Sequence, residues 1–280
     1  MSFTKIKSNA KINLALNIIG KSKNLHKIES LIAFIELHDL ILIKKIRSRN
    51  HRIIFNGKFS KNINSLNTVS KLLKILEEKK LIDQKYLIKI TKNIPQKSGL
   101  GGGSMNAANI LKYFINRKII KLNTKQILEI TDYVGSDVIL GLDSTNSVLT
   151  SKKKIKRYRN CKKLFTLVVK PSFGCSTKEI YSRVKKFDKA KFYTPKKKMF
   201  NSDYLRKTNN SLENIVLKKY QVLTKIKSYL RNLEKPIFVR MSGSGSAFIA
   251  YYASKRQCDM AQKQFNKQYK KYWCISSKTI

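Results

Sequence analysis

Four of the 11 glycines in this 280-residue chain, Gly99, Gly101, Gly102 and Gly103, fall within the segment 99–103, and a helical pattern begins directly behind them. The run "SGLGGGS" strips the backbone of side chains, so that successive N–H groups can converge on one point. The helix that follows adds its unpaired first amides and the positive end of its dipole to that point. Such a place suits an anion, and a phosphate above all. The run is not a Walker A loop, because no Gly-Lys-Ser/Thr closes it, and Ser104 stands where a G-x-G-x-x-G fingerprint has its third glycine. A flexible linker or a tight turn is the other reading. Linkers, however, seldom separate a β-like segment ending in Ile94-Pro95 from an amphipathic helix with Ala107, Ala108, Leu111, Phe114 and Ile115 on one stripe.

The rest of the chain is long enough for two domains with cores of their own, and we expect a boundary near residue 155, in the basic stretch Ser151 to Lys163. Hydrophobic residues make up 42% and aromatics 10%, which indicates a folded protein in spite of a formal charge of +44. The longest apolar candidate, Leu31 to Ile43, is broken by Glu36, His38 and Asp39 and falls short of the ~18 residues a bilayer span needs. With no apolar leader segment at the N-terminus either, a soluble cytoplasmic protein is expected. Cys161, Cys175, Cys258 and Cys274 stand far apart without a C-x-x-C pair, so reduced thiols are expected rather than zinc or disulfides. The lysines are spread over nearly every segment instead of clustering in a groove. They favour anionic ligands through a long-range field without specifying a nucleic acid.

Periodicity places the elements. Residues 10–19 alternate, with Ile12, Leu14, Leu16 and Ile18 on one face and Lys11, Asn13, Ala15 and Asn17 on the other, which predicts a half-buried strand. Further strands are expected at 40–46, 52–55 and 86–90, with a turn at Asn56-Gly57. Val69, Leu72, Leu73 and Leu76 predict a helix capped by Thr68. Ile127, Leu128, Thr131 and Val134 predict a second helix stopping at Gly135. Beyond residue 155 the pattern reads strand (164–169), two helices, strand (237–241), strand (247–252), helix (255–270) and strand (272–275). With one helix set aside, that is the β-α-β-β-α-β order of a ferredoxin-like sandwich. The first of these helices opens on Ser176-Thr177-Lys178-Glu179, the spacing of a capping box.

If the loop holds phosphates for transfer, the chain must also supply a carboxylate to take a hydroxyl proton and a cation over the moving group. Asp137, between a helix stop and an apolar run, is open to that role, although a lone Asp at such a place is more often a turn-former or helix cap. Lys11, on the polar face of its strand, is open to it too, although a lysine there is usually solvated. A second small-residue loop, Ser242 to Ser246, has more Ser and Gly than a hairpin turn needs. Such a loop can approach the first one closely.

Taken together, "AKINLALNIIGKSKNLHKIESL" (10–31), "KNIPQKSGLGGGSMNAANIL" (92–111) and "VRMSGSGSAF" (239–248), with "VGSDVILGL" as a weaker fourth motif, resemble the GHMP kinase superfamily, and within it the kinases of 4-diphosphocytidyl-2-C-methyl-D-erythritol. The resemblance implies an α/β (α+β) enzyme of two domains, 1–155 ribosomal-protein-like and ATP-binding, 156–280 ferredoxin-like. It implies a transferase that moves the γ-phosphate of ATP, with Mg²⁺, onto the 2-hydroxyl of that diphosphocytidyl alcohol in isoprenoid precursor synthesis. Carried over by motif, Lys11 and Asp137 are the catalytic pair. Pro95, Gln96, Lys97, Ser98, Gly99, Leu100, Gly101, Gly102, Gly103, Ser104 and Met105 wrap the ATP phosphates, Ser104 also helping to hold Mg²⁺. Asn13, His26, Thr177, Tyr181, Gly243, Ser244 and Gly245 fall on substrate positions. The chain departs from the pattern at the cytidine end. Lys23-Asn24-Leu25-His26 stands where the family has Asp-Gly-Tyr-His, so Leu25 replaces a stacking tyrosine and Tyr181 is left to stack on the base. Ile139 replaces a proline behind Asp137. A monomer or homodimer is expected, with no membrane and no specific nucleic acid as partner. The rival readings are another GHMP kinase, acting on homoserine, mevalonate or a sugar, and a basic RNA-binding module with aromatics interleaved among lysines on one sheet face.

Overall fold

The structure is a computed structural model that describes residues 2–22, 25–152 and 154–280. Lys23 and Asn24, where the sequence leaves the family pattern, lie outside the described residues. The chain divides into two compact units: 1–11, 37–96 and 101–144 form one, and 12–36, 97–100 and 145–280 form the other. Two long strands, β1 (Thr4–Ser22) and β2 (Leu25–Ile46), pair with each other and contribute residues to both units.

In the first unit the C-terminal half of β2 pairs antiparallel with β4 (Lys85–Thr91), Leu40 opposite Thr91 and Ile46 opposite Lys85. On its other edge β4 runs parallel to β3 (Arg52–Asn56). Helices α1 (Thr68–Glu78), α2 (Gly102–Asn116), α3 (Thr124–Val134) and the one-turn α4 (Val138–Gly141) complete the unit. Ile41 and Ile43 of β2, Ile88 and Ile90 of β4, the α1 stripe of Val69, Leu72, Leu73 and Leu76, and Leu111 and Phe114 of α2 form its core. Each such fully buried side chain contributes about 1.5–3 kcal/mol of burial free energy.

In the second unit the N-terminal half of β2 pairs with β5 (Asn146–Leu149), which pairs with β6 (Ile155–Tyr158). These two short strands carry no periodic pattern of their own and were not expected from sequence. A separate four-stranded antiparallel sheet runs β10-β7-β9-β8. Its strands are β7 (Phe165–Lys170), β8 (Phe238–Met241), β9 (Phe248–Tyr252) and β10 (Trp273–Lys278). Helices α5 (Thr177–Ser182), α6 (Ser202–Arg206), α7 (Glu213–Lys219) and α8 (Gln221–Asn232) lie between β7 and β8, and α9 (Lys255–Gln268) lies between β9 and β10. The ferredoxin-like order therefore holds for the strands, with two more short helices on the first crossover than the sequence suggested.

Several local expectations need correcting. β1 is not half-buried: Lys11, Asn13 and Asn17, on its polar face, are as buried as Leu14 and Leu16 opposite. The cap of α1 is Asn67, not Thr68. Its side chain accepts from the amides of Val69 and Ser70 while Ser70 Oγ accepts from the Asn67 amide. A threonine one residue on has helical backbone already and cannot turn back to cap, so its hydroxyl donates to the Gly103 carbonyl instead. Ile130, not Leu128, faces the core from α3, and Leu128 is exposed. At α5 half of the expected capping box forms: Ser176 Oγ accepts from the Glu179 amide at 3.4 Å, but the Glu179 carboxylate turns to Lys219 and Arg183. The four cysteines are not joined to one another. No helix among the described residues is long and apolar enough to cross a membrane.

Candidate active site

Helix α2 opens without a side-chain cap: Gly101, at φ 70°, occupies the cap position and leaves the first amides of the helix without a side-chain acceptor. The left-handed backbone is one reason for glycine here. The other is steric, since a Cβ on Gly101 would meet Lys11 Cγ at 2.7 Å and Cε at 3.0 Å. The lysine stem thus lies directly against the helix start, with its side chain only 6% exposed.

The Lys11 ammonium ends 3.1 Å from Oδ2 of Asp137, whose side chain is 33% exposed. The sequence left Asp137 open between helix cap and chemical role. It does stand at the N-cap of α4, yet no cap hydrogen bond forms from its side chain. Its carboxylate faces the lysine instead. Helix α4 is held against α2 by small residues, because a Cβ on Gly141 would collide with Ala108 Cβ at 2.7 Å and with Met105 Sδ at 2.9 Å. Ser104, in the first turn of α2, has its hydroxyl 3.8 Å from where a Gly135 Cβ would stand. One unit therefore brings together an uncapped helix N-terminus, a buried ammonium, a partly exposed carboxylate and a hydroxyl. Magnesium takes hard oxygen ligands and commonly one or two from protein, the rest from phosphates and water. No group of three or more His, Cys, Asp or Glu suited to a metal occurs among the described residues. The Ser104 hydroxyl is a hard oxygen that fits a cation arriving with a polyphosphate.

The other candidate residues of the glycine segment differ in what they offer. Leu100 and Met105 are fully buried, and the Met105 amide is spent within α2, donating to the Gly101 carbonyl at 2.9 Å. Gln96 is engaged, donating from Nε2 to the carbonyls of Phe59 and Lys61.

In the second unit residues 97–99 lie along the Ser242–Ser246 loop, as its small residues suggested. The amides of Ser246 and Ala247 donate to the carbonyls of Lys97 and Ser98 at 3.3 and 3.1 Å. Ser242 Oγ donates to the Gly99 carbonyl at 2.9 Å and accepts from the Asn13 amide at 3.2 Å. A Cβ on Gly99 would stand 1.9 Å from the Ser242 carbonyl, which no side chain survives. Asn13 Nδ2 donates to Ser30 Oγ at 2.8 Å, and its Oδ1 lies 3.5 Å from where a Gly243 Cβ would be. Thr177 and Ser244 share a hydroxyl hydrogen bond of 2.9 Å. Asn210, which sequence reading missed, donates to the carbonyls of Met241 and Gly243 and so fixes the loop from below. Nothing in the local sequence marks it, because its partners are more than thirty residues away.

His26 meets Tyr181 with ring centroids 5.2 Å apart, and Phe187 at 6.4 Å. Burial, then the neighbouring Lys21 ammonium, holds the imidazole below its usual pKa, so it is neutral at pH 7 and able both to donate and to accept. Leu25 is 70% exposed and takes no part in this ring cluster.

Residues 67–149 match the family described as "GHMP kinases N terminal domain". The chain is 52% identical over its whole length, and over all of the relative, to a 4-diphosphocytidyl-2-C-methyl-D-erythritol kinase of Pelagibacter ubique. It is 33% identical to the enzyme of the same name from Clostridium beijerinckii, over 95% of this chain and 97% of that one. Among solved structures, a 4-(cytidine 5'-diphospho)-2C-methyl-D-erythritol kinase superposes with a TM-score of 0.77 at 21% identity, covering 98% of this chain and 99% of that one. A homoserine kinase from Cytophaga hutchinsonii gives 0.73 at 15% identity, covering 100% and 95%. These two likenesses speak for the fold, and the full-length identities go further: the chain belongs to the 4-diphosphocytidyl-2-C-methyl-D-erythritol kinases, within the GHMP kinases.

Proposed function

We propose that this chain transfers the γ-phosphate of ATP to the 2-hydroxyl of 4-diphosphocytidyl-2-C-methyl-D-erythritol. The observation that carries the reading is the 3.1 Å pair of Lys11 and Asp137, with the lysine stem packed on Gly101 at the open end of α2. The hydroxyl oxygen attacks the γ-phosphorus, the bond to the β-phosphate oxygen breaks, ADP leaves, and the hydroxyl proton passes to the Asp137 carboxylate. Lys11 keeps that carboxylate in one orientation and adds a fixed positive charge where negative charge builds on the transferring group. The α2 amides and dipole hold the polyphosphate from the other end. Magnesium, when bound with the nucleotide, would neutralise phosphate oxygens, and the Ser104 hydroxyl would help to hold it.

The cytidine end is assigned to His26 and Tyr181. The imidazole reads the polar edge of the base, and the phenol ring stacks on it where Leu25 cannot. Asn13, Thr177, Gly243, Ser244 and Gly245 are assigned to the rest of the acceptor. The domain division is assigned near residue 155, ahead of the sheet that begins with β7.

The test is turnover with Mg-ATP followed by ³¹P NMR of the product. The reading expects ADP and a new phosphomonoester on the 2-oxygen. Turnover of homoserine or mevalonate, with none of the diphosphocytidyl alcohol, would refute it.

A further inference from the structure

Beneath the start of α2 lies a buried ion pair that the phosphoryl-transfer step does not use. Asp39, on β2, is 0% exposed, and both of its carboxylate oxygens are fully occupied. Oδ1 accepts from the backbone amides of Asn93 and Ile94, each at 2.8 Å, and Oδ2 accepts from the Lys92 ammonium and from Asn106 Nδ2 at 3.0 Å. One carboxylate thus ties together a sheet strand, the segment that leads into the glycine run, and the second turn of α2.

The position of Lys92 gives this hub its meaning. Its Nζ lies 3.4 Å from where a Cβ on Gly102 would stand, at the first residue of α2. An ammonium buried at the positive end of a helix faces a like charge, and burial already pushes its pKa down. Asp39 opposes both effects. Removing the carboxylate leaves Lys92 uncompensated and the amides of Asn93 and Ile94 without an acceptor in a dry core. Asn106 adds a further constraint, since its Oδ1 is buried without a hydrogen-bond partner among the described residues, so its amide group is oriented by Asp39.

We infer that Asp39, acting with Lys92 and Asn106, is a positioning residue for nucleotide binding: the buried carboxylate sets the height and direction of the α2 N-terminus that receives the phosphates. The inference rests on reading that N-terminus as the nucleotide site, and binding measured apart from turnover distinguishes the two. Mg-ATP binding to the wild-type chain is measured first by calorimetry. Absence of binding would defeat the proposed function, and this inference with it. Binding without phosphorylation of the diphosphocytidyl alcohol would defeat the acceptor assignment alone and leave the present inference open to its own variants.

Asp39→Asn keeps the shape and an acceptor for the two amides, but turns an NH₂ group toward Lys92 and Asn106. A displacement of the helix start by about 1 Å is expected to weaken Mg-ATP binding by about 10- to 100-fold, with the acceptor KM changed by less than about 2-fold. Asp39→Asn with Lys92→Met removes the stranded cation and is expected to recover part of that loss. Asn106→Ala, which leaves the ion pair intact, is expected to weaken Mg-ATP in the same direction by a smaller factor. Wild-type Mg-ATP affinity in folded Asp39→Asn would overturn the inference. So would equal weakening of nucleotide and acceptor in step with a fallen Tm, the signature of a merely structural residue. Should Asp39→Asn fail to fold, unchanged affinity in Asn106→Ala is the overturning result.

Discussion

Gly101 shows how a single residue joins backbone geometry to chemistry. It needs a positive φ, and it needs to have no Cβ because Lys11 occupies that space. Gly101→Ala therefore carries two costs: about 1 kcal/mol or more for an L-residue in the left-handed region, and displacement of the lysine from its carboxylate. The expected outcome is a fall in Tm of a few degrees together with a drop of about 10-fold or more in kcat. Steady-state kinetics on protein of verified fold check it. Loss of stability with unchanged kcat would show that the lysine stem finds another path. The second histidine of the first unit makes a residue-scale claim about pH. His51 accepts from the Tyr86 amide at Nδ1 and stands 3.3 Å from Glu77 at Nε2. Burial holds its pKa below the usual 6.5 in spite of Glu77, with Lys85 adding to the lowering. The unfolded chain then binds more protons than the folded one in the window up to that value. Stability is complete above pH 6.5 and falls as pH drops through the folded pKa. Urea unfolding at pH 7.5, 6.5 and 5.5 is expected to show this decline, and His51→Gln is expected to flatten it.

At the level of elements, the first turn of α1 illustrates what decides a cap. Asn67→Ala removes the acceptor for two amides and is expected to cost about 0.5–2 kcal/mol in denaturant unfolding, whereas Thr68→Ala is expected to cost less. Equal losses would contradict the assignment of the cap. The same helix marks where sequence reading succeeds and where it slips. The stripe of Val69, Leu72, Leu73 and Leu76 was legible because burial enforces its spacing over three turns. The cap was misread by one residue because Asn and Thr both qualify and the choice rests on backbone angles. The strands with strong alternation were found for the same reason as the helix. β5 and β6, four residues each, were missed because their pairing, and not their composition, makes them strands. In β1 the alternation was read correctly, but the inference of a wet polar face failed, since other parts of the chain cover Lys11, Asn13 and Asn17.

On the scale of the whole chain, the sites divide in the same manner. The glycine run announced a helix N-terminus, and Lys11 and Asp137, more than a hundred residues apart, could be joined only through resemblance until their 3.1 Å separation was seen. Asp39 and Asn210 carried no signal, because a buried polar residue is recognised by what it bonds and not by its neighbours in sequence. The formal charge of +44 follows from 60 Lys and Arg against 16 acids spread along the chain, and its physical consequence is attraction of anionic substrates at low salt. The central claim is narrower than that field: one carboxylate, held by one buried ammonium, takes the proton from the acceptor hydroxyl. Single-turnover kinetics of Asp137→Asn with saturating Mg-ATP test it most directly. The account predicts a chemical step slowed by about 10²- to 10⁴-fold with ATP affinity nearly unchanged. A mutant that transfers phosphate as fast as the wild type would contradict it.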